Sequence, residues 1–346
     1  MTQPQFTILH HLDTDPVEKP TPQVYAEALE QVIVADEVGI DTVWFAEHHG
    51  GLEAGRLPAP LLFIIKAAEH TRRVTLGTGV TLLPFYHPLQ VAEQVAEADI
   101  ITGGRFALGI GAGFAPGDFA AFGVAPASKR DRLREGLDIL QQAWAGETFS
   151  YHGEHYHIEK GRLAPTPPRP WRDLVWLAAS HTDTAQMAGE RDMHLMLSRG
   201  NPVSLSQTLI ATYQASLRQA GHRTDDRFTQ KTWMVYVSDS EADALAMGER
   251  GARGYYEHTL RLGRPRVPND DDLNVCLAHV DMLIGTPEQV ADELARQALE
   301  LGLTHIALHT RFPQIPHARL LRSTELLGRV VLPRVREAYA GALVPA

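Results

Sequence analysis

Short apolar segments alternate with longer amphipathic segments along almost the whole chain. The short segments have the length and the β-branched or aromatic content of buried strands, whereas the long ones repeat apolar residues at helical spacing. The predicted strands are residues 6–9, 42–45, 74–82, 106–110, 174–178, 194–197, 233–237 and 305–309. The predicted helices are residues 21–38, 58–70, 89–101, 129–144, 184–191, 204–220, 241–256, 287–301 and 320–336.

This strict alternation predicts an α/β fold in which helices cover a parallel sheet. Eight strand–helix units, give or take one, favour closure into a (β/α)8 TIM barrel over the alternative, an open doubly wound sheet. We expect a single domain over residues 1–346, with two insertions at the carboxyl-terminal face of the barrel. One is a small hairpin at about 146–170, and the other is a lid-like polar insertion at about 259–284.

Composition and charge narrow the class of protein further. The chain has 346 residues, 44% of them hydrophobic, which supplies a large core and excludes a disordered or fibrous protein. A net charge of −10 without a basic patch argues against a nucleic-acid partner. A single cysteine, Cys276, predicts a reduced thiol. Residues 1–13 do not resemble a signal peptide and no apolar run could cross a bilayer, so we expect a cytoplasmic protein.

Polar residues and glycines collect directly after the predicted strands, where the site of a TIM barrel is built. The densest group is Glu47-His48-His49, which follows the second strand. Two adjacent histidines on an extended chain point to opposite sides, so one of them is expected to face the barrel mouth. A histidine suits proton transfer near neutral pH, and Glu47 could fix its tautomer. The alternative is that one histidine packs and the other is solvated.

Two further strand ends are candidates for cofactor binding. The segment 109–113 contains three glycines but lacks the spacing of a dinucleotide fingerprint, so it is interpreted as backbone that approaches a flat ligand closely. The alternative is a simple turn. The segment 179–184 joins a strand to a helix start, whose hydroxyl and N–H groups suit a phosphate. The alternative is plain capping by Ser180 or Thr182.

Three histidines in the predicted hairpin raise the question of a metal site. His155 and His157 are expected on one face of the hairpin and His152 on the other. That arrangement favours a solvated hairpin, and no bound metal is expected.

Taken together, these residues resemble the bacterial luciferase-like flavin-dependent monooxygenase family over nearly the whole chain. The segments that carry the resemblance are 45–49, 76–80, 83–84, 87–88, 92–94, 103–113, 119–123, 285–290 and 332–333. The resemblance implies a two-component enzyme in which reduced FMN and O2 form a flavin C4a-hydroperoxide that oxygenates a small, largely apolar organic substrate. No nicotinamide fingerprint is visible, so a separate NAD(P)H:flavin reductase is the expected partner. Family members are often dimers, and a homodimer or higher homo-oligomer is expected.

The resemblance also implies roles for individual residues. His48 is the proton-transfer residue, with Glu47 and His49 beside it, and the peptide bond between Gly79 and Val80 is cis. Backbone at Gly111, Ala112, Gly113 and Phe114 lines the flavin ring, and Ser180, Thr182 and Thr184 hold its phosphate. The residues expected at the substrate or in a lid are His10, Phe85, Arg199, Arg311 and Phe312.

Two departures from the family pattern keep alternatives open, and one of them is Ala179, which stands where the family's phosphate loop usually has an acidic residue before its serine. Luciferases proper have an arginine where this chain has Ala112, and Arg199 and Arg311 are the candidates to supply the missing charge. Deazaflavin-dependent dehydrogenases or reductases share the barrel and similar Gly-Ala-Gly segments, which makes them the main alternative. A metal-dependent hydrolase and a non-catalytic flavin-binding protein are two further alternatives.

Overall fold

Eight parallel strands close into a barrel in the computed structural model, which describes residues 3–12, 19–49, 55–261 and 273–342. Its strands are β1 (Gln5–His10), β2 (Thr42–Phe45), β3 (Thr75–Leu82), β4 (Phe106–Gly111), β7 (Val175–Ala179), β8 (His194–Leu197), β9 (Thr229–Val237) and β11 (His305–His309). Each pairs in parallel with the next, and β11 closes the ring onto β1. The predicted barrel is confirmed.

Three strands lie outside this ring. β5 (Phe149–His152) and β6 (His157–Gly161) form the predicted antiparallel hairpin. β10 (Met282–Gly285) pairs in parallel with β9, and the sequence did not predict it. It was missed because its four residues lie at the end of a segment interpreted as a polar insertion.

Helices follow the barrel strands and cover them. They are α1 (Thr21–Val38), α2 (Pro60–His70), α3 (Pro88–Ile101), α4 (Pro116–Ala121), α5 (Lys129–Trp144), α6 (Thr182–Glu190), α7 (Val203–Gln219), α8 (Glu241–Arg261), α9 (Leu273–Val280), α10 (Pro287–Glu300), α11 (His317–Leu326) and α12 (Leu332–Ala342). α1, α2, α3, α4 and α10 each have a proline in the first turn after a non-helical residue, where the missing N–H costs nothing. The last predicted helix is in fact two, joined by a π-helical segment at Leu327–Val331. Part of the predicted lid-like insertion, 262–272, lies outside the described residues.

Side chains fill the inside of the barrel. The Trp44 ring packs there directly against the backbone of β3, since a Cβ at Gly77 would lie only 2.4 Å from that ring. Trp44 Nε1 and Thr7 Oγ1 both donate to Gln230 Oε1 at 3.1 Å, which satisfies the buried polar groups. Among the described helices, none combines the length and apolar character that a bilayer crossing requires.

Four of the buried histidines in the described chain have a lowered pKa and are held neutral. Burial lowers the pKa of His305 and of His10 to about 3, with Arg311 adding to the effect at His10. Burial also lowers the pKa of His194 and His309 well below the ordinary value. Because the unfolded chain binds protons at these positions near pH 6.5 and the folded chain does not, acid favours unfolding.

We therefore predict that stability falls as the pH drops from about 6.5 towards 4, by about 1.4 kcal/mol per pH unit for each such histidine. His305→Gln should make this slope shallower by that amount in urea unfolding measured at several pH values. His70→Gln, which changes an exposed histidine at the end of α2, should leave the slope unchanged. Parallel slopes for His305→Gln and the unmodified protein would contradict the assignment.

Candidate active site

A cavity of about 700 Å³ opens at the carboxyl ends of β2, β3, β4, β7 and β8. This volume lies in the range of small-molecule sites, and the position is that of TIM-barrel active sites. The cavity brings together most of the site residues that were predicted from the sequence. Those that line it are Glu47, His48, Gly79, Val80, Gly111, Ala112, Gly113, Phe114, Ser180 and Thr184.

The two adjacent histidines after β2 are separated as the strand geometry predicts. His48 lines the cavity, and its Nε2 lies 3.1 Å from His11 Nδ1. His49 turns the other way, with its ring centroid 4.6 Å from that of Phe122. One histidine therefore faces the cavity while the other packs.

Glu47 contacts His49 rather than His48, which corrects the expectation that it fixes the tautomer of the cavity-facing histidine. Its Oε1 lies 2.9 Å from His49 Nε2 and accepts a hydrogen bond from the Tyr86 hydroxyl, also at 2.9 Å. Burial raises the pKa of Glu47, while these two hydrogen bonds favour the ionised form. Glu47 thus ties the segment after β2 to the segment after β3.

His11 is the functional candidate that sequence reasoning missed, and His10 was the wrong choice. His10 is fully buried, and its ring stacks on Phe45 with centroids 5.8 Å apart. The signal was present in β1, because Phe6, Ile8 and His10 alternate and so share the face that packs against the helices. His11, one residue later, lines the cavity.

Two residues expected at the substrate lie in packed structure instead. Arg311 donates to Gln31 Oε1 at 3.0 Å and pairs with Glu27 of α1 at 3.4 Å, so its charge is directed at the helix layer. Phe312 is fully buried and belongs to a hydrophobic cluster that also contains Met234 and Tyr255.

Arg199 and Phe85, which were also predicted at the substrate or in a lid, lie near the mouth but do not line the cavity. Arg199 stacks over the ring of Tyr255 at 4.4 Å and donates to Nδ1 of His309 at 3.5 Å. Phe85 stacks on Phe122, with ring centroids 4.9 Å apart. Neither Arg199 nor Arg311, the candidates to supply the charge that is absent at Ala112, lines the cavity.

Positive charge comes to the cavity from α5 and from the end of α6. The basic residues that line it are Lys129, Arg130, Arg134 and Arg191. Arg130 Nη1 lies 2.6 Å from Asp183 Oδ2 in the first turn of α6. The sequence analysis did not predict these basic residues at the site, because the folding of α5 against α6 is not visible in the local sequence.

Residues at the beginning of α6 also line the cavity, beside the basic residues of α5. Its N-cap is His181, which makes no side-chain cap hydrogen bond, so capping by Ser180 or Thr182 is not the explanation for this segment. Ser180 and Thr184 line the cavity, whereas Thr182 is exposed outside it. The backbone N–H of Thr184 donates to Asp183 Oδ1 at 2.8 Å.

β3 and β4 form the wall of the cavity in close contact. The peptide bond between Gly79 and Val80 is cis, as the family resemblance predicted, and the pairing of β3 with β4 shifts register between Thr78 and Thr81. A Cβ at Gly109 would lie 2.2 Å from the Thr78 carbonyl oxygen, and one at Gly111 would lie 2.5 Å from Val80. These glycines of β4 are thus required by the neighbouring strand.

Comparison with known proteins places the chain among flavin enzymes of one family. A sequence profile described as luciferase-like monooxygenase matches residues 5–305. The 4-hydroxyprotoasukamycin monooxygenase of Streptomyces nodosus subsp. asukaensis is 31% identical over 319 residues, which cover 88% of this chain and 85% of the relative. The oxygenase component of the flavin-dependent trigonelline monooxygenase of Acinetobacter baylyi is 27% identical over 245 residues, covering 69% and 67%.

Two further matches show the breadth of the likeness. An F420-dependent glucose-6-phosphate dehydrogenase of Nakamurella multipartita is 27% identical over 331 residues, covering 90% of this chain and 93% of the relative. The crystal structure of monooxygenase RslO1 from Streptomyces bottropensis superposes with a TM-score of 0.86 at 27% identity, covering 95% of this chain and 99% of that one. The fold therefore accommodates oxygenases and, among its relatives, dehydrogenases.

The contact between β3 and β4 yields a stability prediction. Gly109→Ala should lower the free energy of unfolding by about 2 kcal/mol or more, because the new methyl group would collide with backbone that cannot rotate away. Gly117→Ala is the matched control, since no atom lies within 4 Å of its added Cβ. Urea unfolding followed by circular dichroism checks this, and equal stabilities of the two variants would contradict it.

Proposed function

Because this chain belongs to the luciferase-like monooxygenase family, we propose that it is the oxygenase component of a two-component flavin monooxygenase. In this proposal it uses reduced FMN and O2 to oxygenate a small, largely apolar organic molecule. The observation that carries the proposal is one cavity with a histidine at one end and a cluster of basic residues beside a helix start at the other.

The residues of the cavity fit FMN. Its phosphate would lie between Ser180, Thr184 and Arg130 at the beginning of α6, where it would replace the Asp183 carboxylate as the acceptor of the Thr184 N–H and the Arg130 guanidinium. The ring would lie along the backbone of 111–114, opposite Val80. Gly113 has a φ of 77°, a left-handed conformation that a residue with a side chain rarely adopts.

His48 is the proposed proton-transfer residue. When bound, reduced FMN supplies two electrons to O2, so that one oxygen atom enters the substrate and the other leaves as water. His48 Nε2 and His11 Nδ1 lie 3.1 Å apart, a distance at which one imidazole donates a proton to the other. We propose that this pair exchanges a proton with the reacting centre, with Glu47, His49 and Tyr86 supporting the segment that carries His48.

Aromatic side chains around the mouth support an apolar substrate. Phe114 lines the cavity and is 56% exposed, and its ring centroid lies 6.5 Å from that of His48. Phe85, Phe119 and Phe122 pack together beside it. An exposed aromatic ring beside the reacting histidine favours a ligand with an apolar or aromatic surface.

A deazaflavin-dependent dehydrogenase is the second candidate. It is favoured by the relatives named as F420-dependent, one of which covers 90% of this chain. In that case the same cavity would support hydride transfer, and His48 would exchange a proton with the substrate.

Two partners complete the proposal. Reduced FMN would come from a separate NAD(P)H:flavin reductase, in line with the relative named as an oxygenase component. A second copy of this chain would cover the groove of about 410 Å³ between α2 and α3. This groove is apolar, and Leu62 and Ile101 beside it are 76% and 55% exposed.

The catalytic assignment predicts that His48→Ala lowers product formation by about 100-fold or more, the usual scale for an acid–base residue. The affinity for reduced FMN should stay within about twofold of the unmodified protein, since the other binding groups remain. The assay supplies reduced FMN from a separate flavin reductase, and omitting that reductase should abolish product. A larger loss of rate in His49→Ala than in His48→Ala would show that the wrong histidine was chosen.

The phosphate assignment predicts that Arg130→Met weakens the binding of FMN by about tenfold, the scale of one charge-assisted hydrogen bond. Riboflavin lacks the phosphate and serves as the internal control, so its affinity should not change. Equal weakening of both ligands, measured by fluorescence titration, would refute a role of Arg130 at the phosphate.

The dimer assignment predicts that Leu62→Glu shifts the protein from dimer to monomer in size-exclusion chromatography with light scattering, because a carboxylate would be buried at the interface. Leu245→Glu is the control, since Leu245 is also exposed, at 53%, but lies on α8. An unmodified protein that is monomeric, or a Leu62→Glu variant that stays dimeric, would contradict this assignment.

A further inference from the structure

The β5–β6 hairpin presents three metal-binding side chains on one face. His152 is paired directly opposite His157 in the antiparallel register, and directly opposite residues share a face. Glu159 follows His157 by two residues along β6, so it shares that face as well. The expectation that His152 points away from His157 is therefore wrong, because it considered alternation along the chain and not pairing across the hairpin.

The distances from Glu159 to the two imidazoles match the edge lengths of a zinc site, and the two imidazoles contact each other through their Nδ1 atoms at 3.2 Å. Glu159 Oε1 lies 3.3 Å from His157 Nε2 and 3.6 Å from His152 Nε2, and one ligand atom from each residue lies within 4.8 Å of the others. Ligands bound to Zn²⁺ at about 2.1 Å in tetrahedral geometry are about 3.4 Å apart. Two imidazoles and one carboxylate form a ligand set that Zn²⁺ commonly uses.

Neighbouring groups hold this arrangement in place. Ser150 Oγ donates to Glu159 Oε2 at 3.4 Å, and Ser150 itself accepts the backbone N–H of Lys160 at 3.1 Å. The carboxylate is thereby oriented with its other oxygen, Oε1, towards the two imidazoles. A supporting hydrogen bond of this kind is typical of built metal sites.

The turn of the hairpin is anchored to the barrel. The carboxylate of Glu135 on α5 accepts backbone N–H bonds from Glu154, His155 and Tyr156 at 2.9, 3.0 and 3.2 Å. The two strands that carry the ligands are thus fixed in register. The loss of side-chain freedom on binding a metal is confined to three exposed side chains.

We propose that His152, His157 and Glu159 form a binding site for one Zn²⁺ ion, with the remaining coordination position open to water. The site lies on the hairpin, outside the cavity at the barrel mouth, and does not depend on the proposed oxygenase function. The three side chains are 56%, 65% and 62% exposed, so the ligands are accessible and little charge has to be desolvated.

The test is calorimetric titration of the tag-free, full-length protein with ZnCl2 at pH 7.5. We expect one Zn²⁺ per chain and an affinity at least about tenfold weaker in His157→Ala and in His152→Ala. His155→Gln is the matched control, because it removes a histidine of the same hairpin that is not in the set.

Circular dichroism and the thermal unfolding midpoint of each metal-free variant serve as controls for folding. We expect both to match the unmodified protein, because the substituted side chains are exposed. Zinc should also raise the midpoint of the unmodified protein but not that of His157→Ala, because only the folded chain assembles the site. The proposal is overturned if the unmodified protein binds Zn²⁺ no more tightly than the His157→Ala variant. It is equally overturned if His155→Gln weakens binding as much as the ligand substitutions do.

Discussion

Adjacent residues of an extended chain point to opposite sides, and this constraint decides which polar residues of the barrel reach the cavity. It sends His10 into the packed layer between strand and helices and leaves His11 at the mouth. After β2 it separates His48, which faces the cavity, from His49, which packs against aromatic rings. The reacting pair proposed here, His11 with His48, exists because two neighbouring parallel strands each end with the correct side facing inwards.

The cavity combines two kinds of environment because different parts of the fold build its ends. One end lies at β1 and β2, where the imidazoles are partly enclosed by packed side chains. The other lies between α5 and the beginning of α6, where basic residues such as Arg130 line the cavity together with the carboxylates of Asp183 and Glu190. The wall between them is β3 against β4, and its glycines allow a separation that side chains would prevent. A ligand with an anionic tail and a flat ring fits such a division of charge.

Much of the architecture could be predicted from the sequence, because the alternation of short apolar and long amphipathic segments directly encodes a barrel of parallel strands. β10 and the π-helical segment at Leu327–Val331 could not be, since the first is a short edge strand and the second keeps a helical pattern. Ten of the cavity-lining residues were also predicted, because they lie at or after strand ends. Arg311 was expected at the substrate and Arg130 was not predicted at the site, because the direction of a long side chain depends on tertiary packing. Arg311 pairs with α1, and Arg130 reaches the cavity from a helix distant in sequence.

The most direct test of the central claim is an anaerobic titration of the purified protein with reduced FMN and, separately, with reduced deazaflavin, followed by admission of air. The account predicts tighter binding of reduced FMN and, with a flavin reductase and an accepted substrate, one oxygen atom from O2 in the product. Selective binding of the deazaflavin, with no consumption of O2, would contradict it and identify a hydride-transfer enzyme.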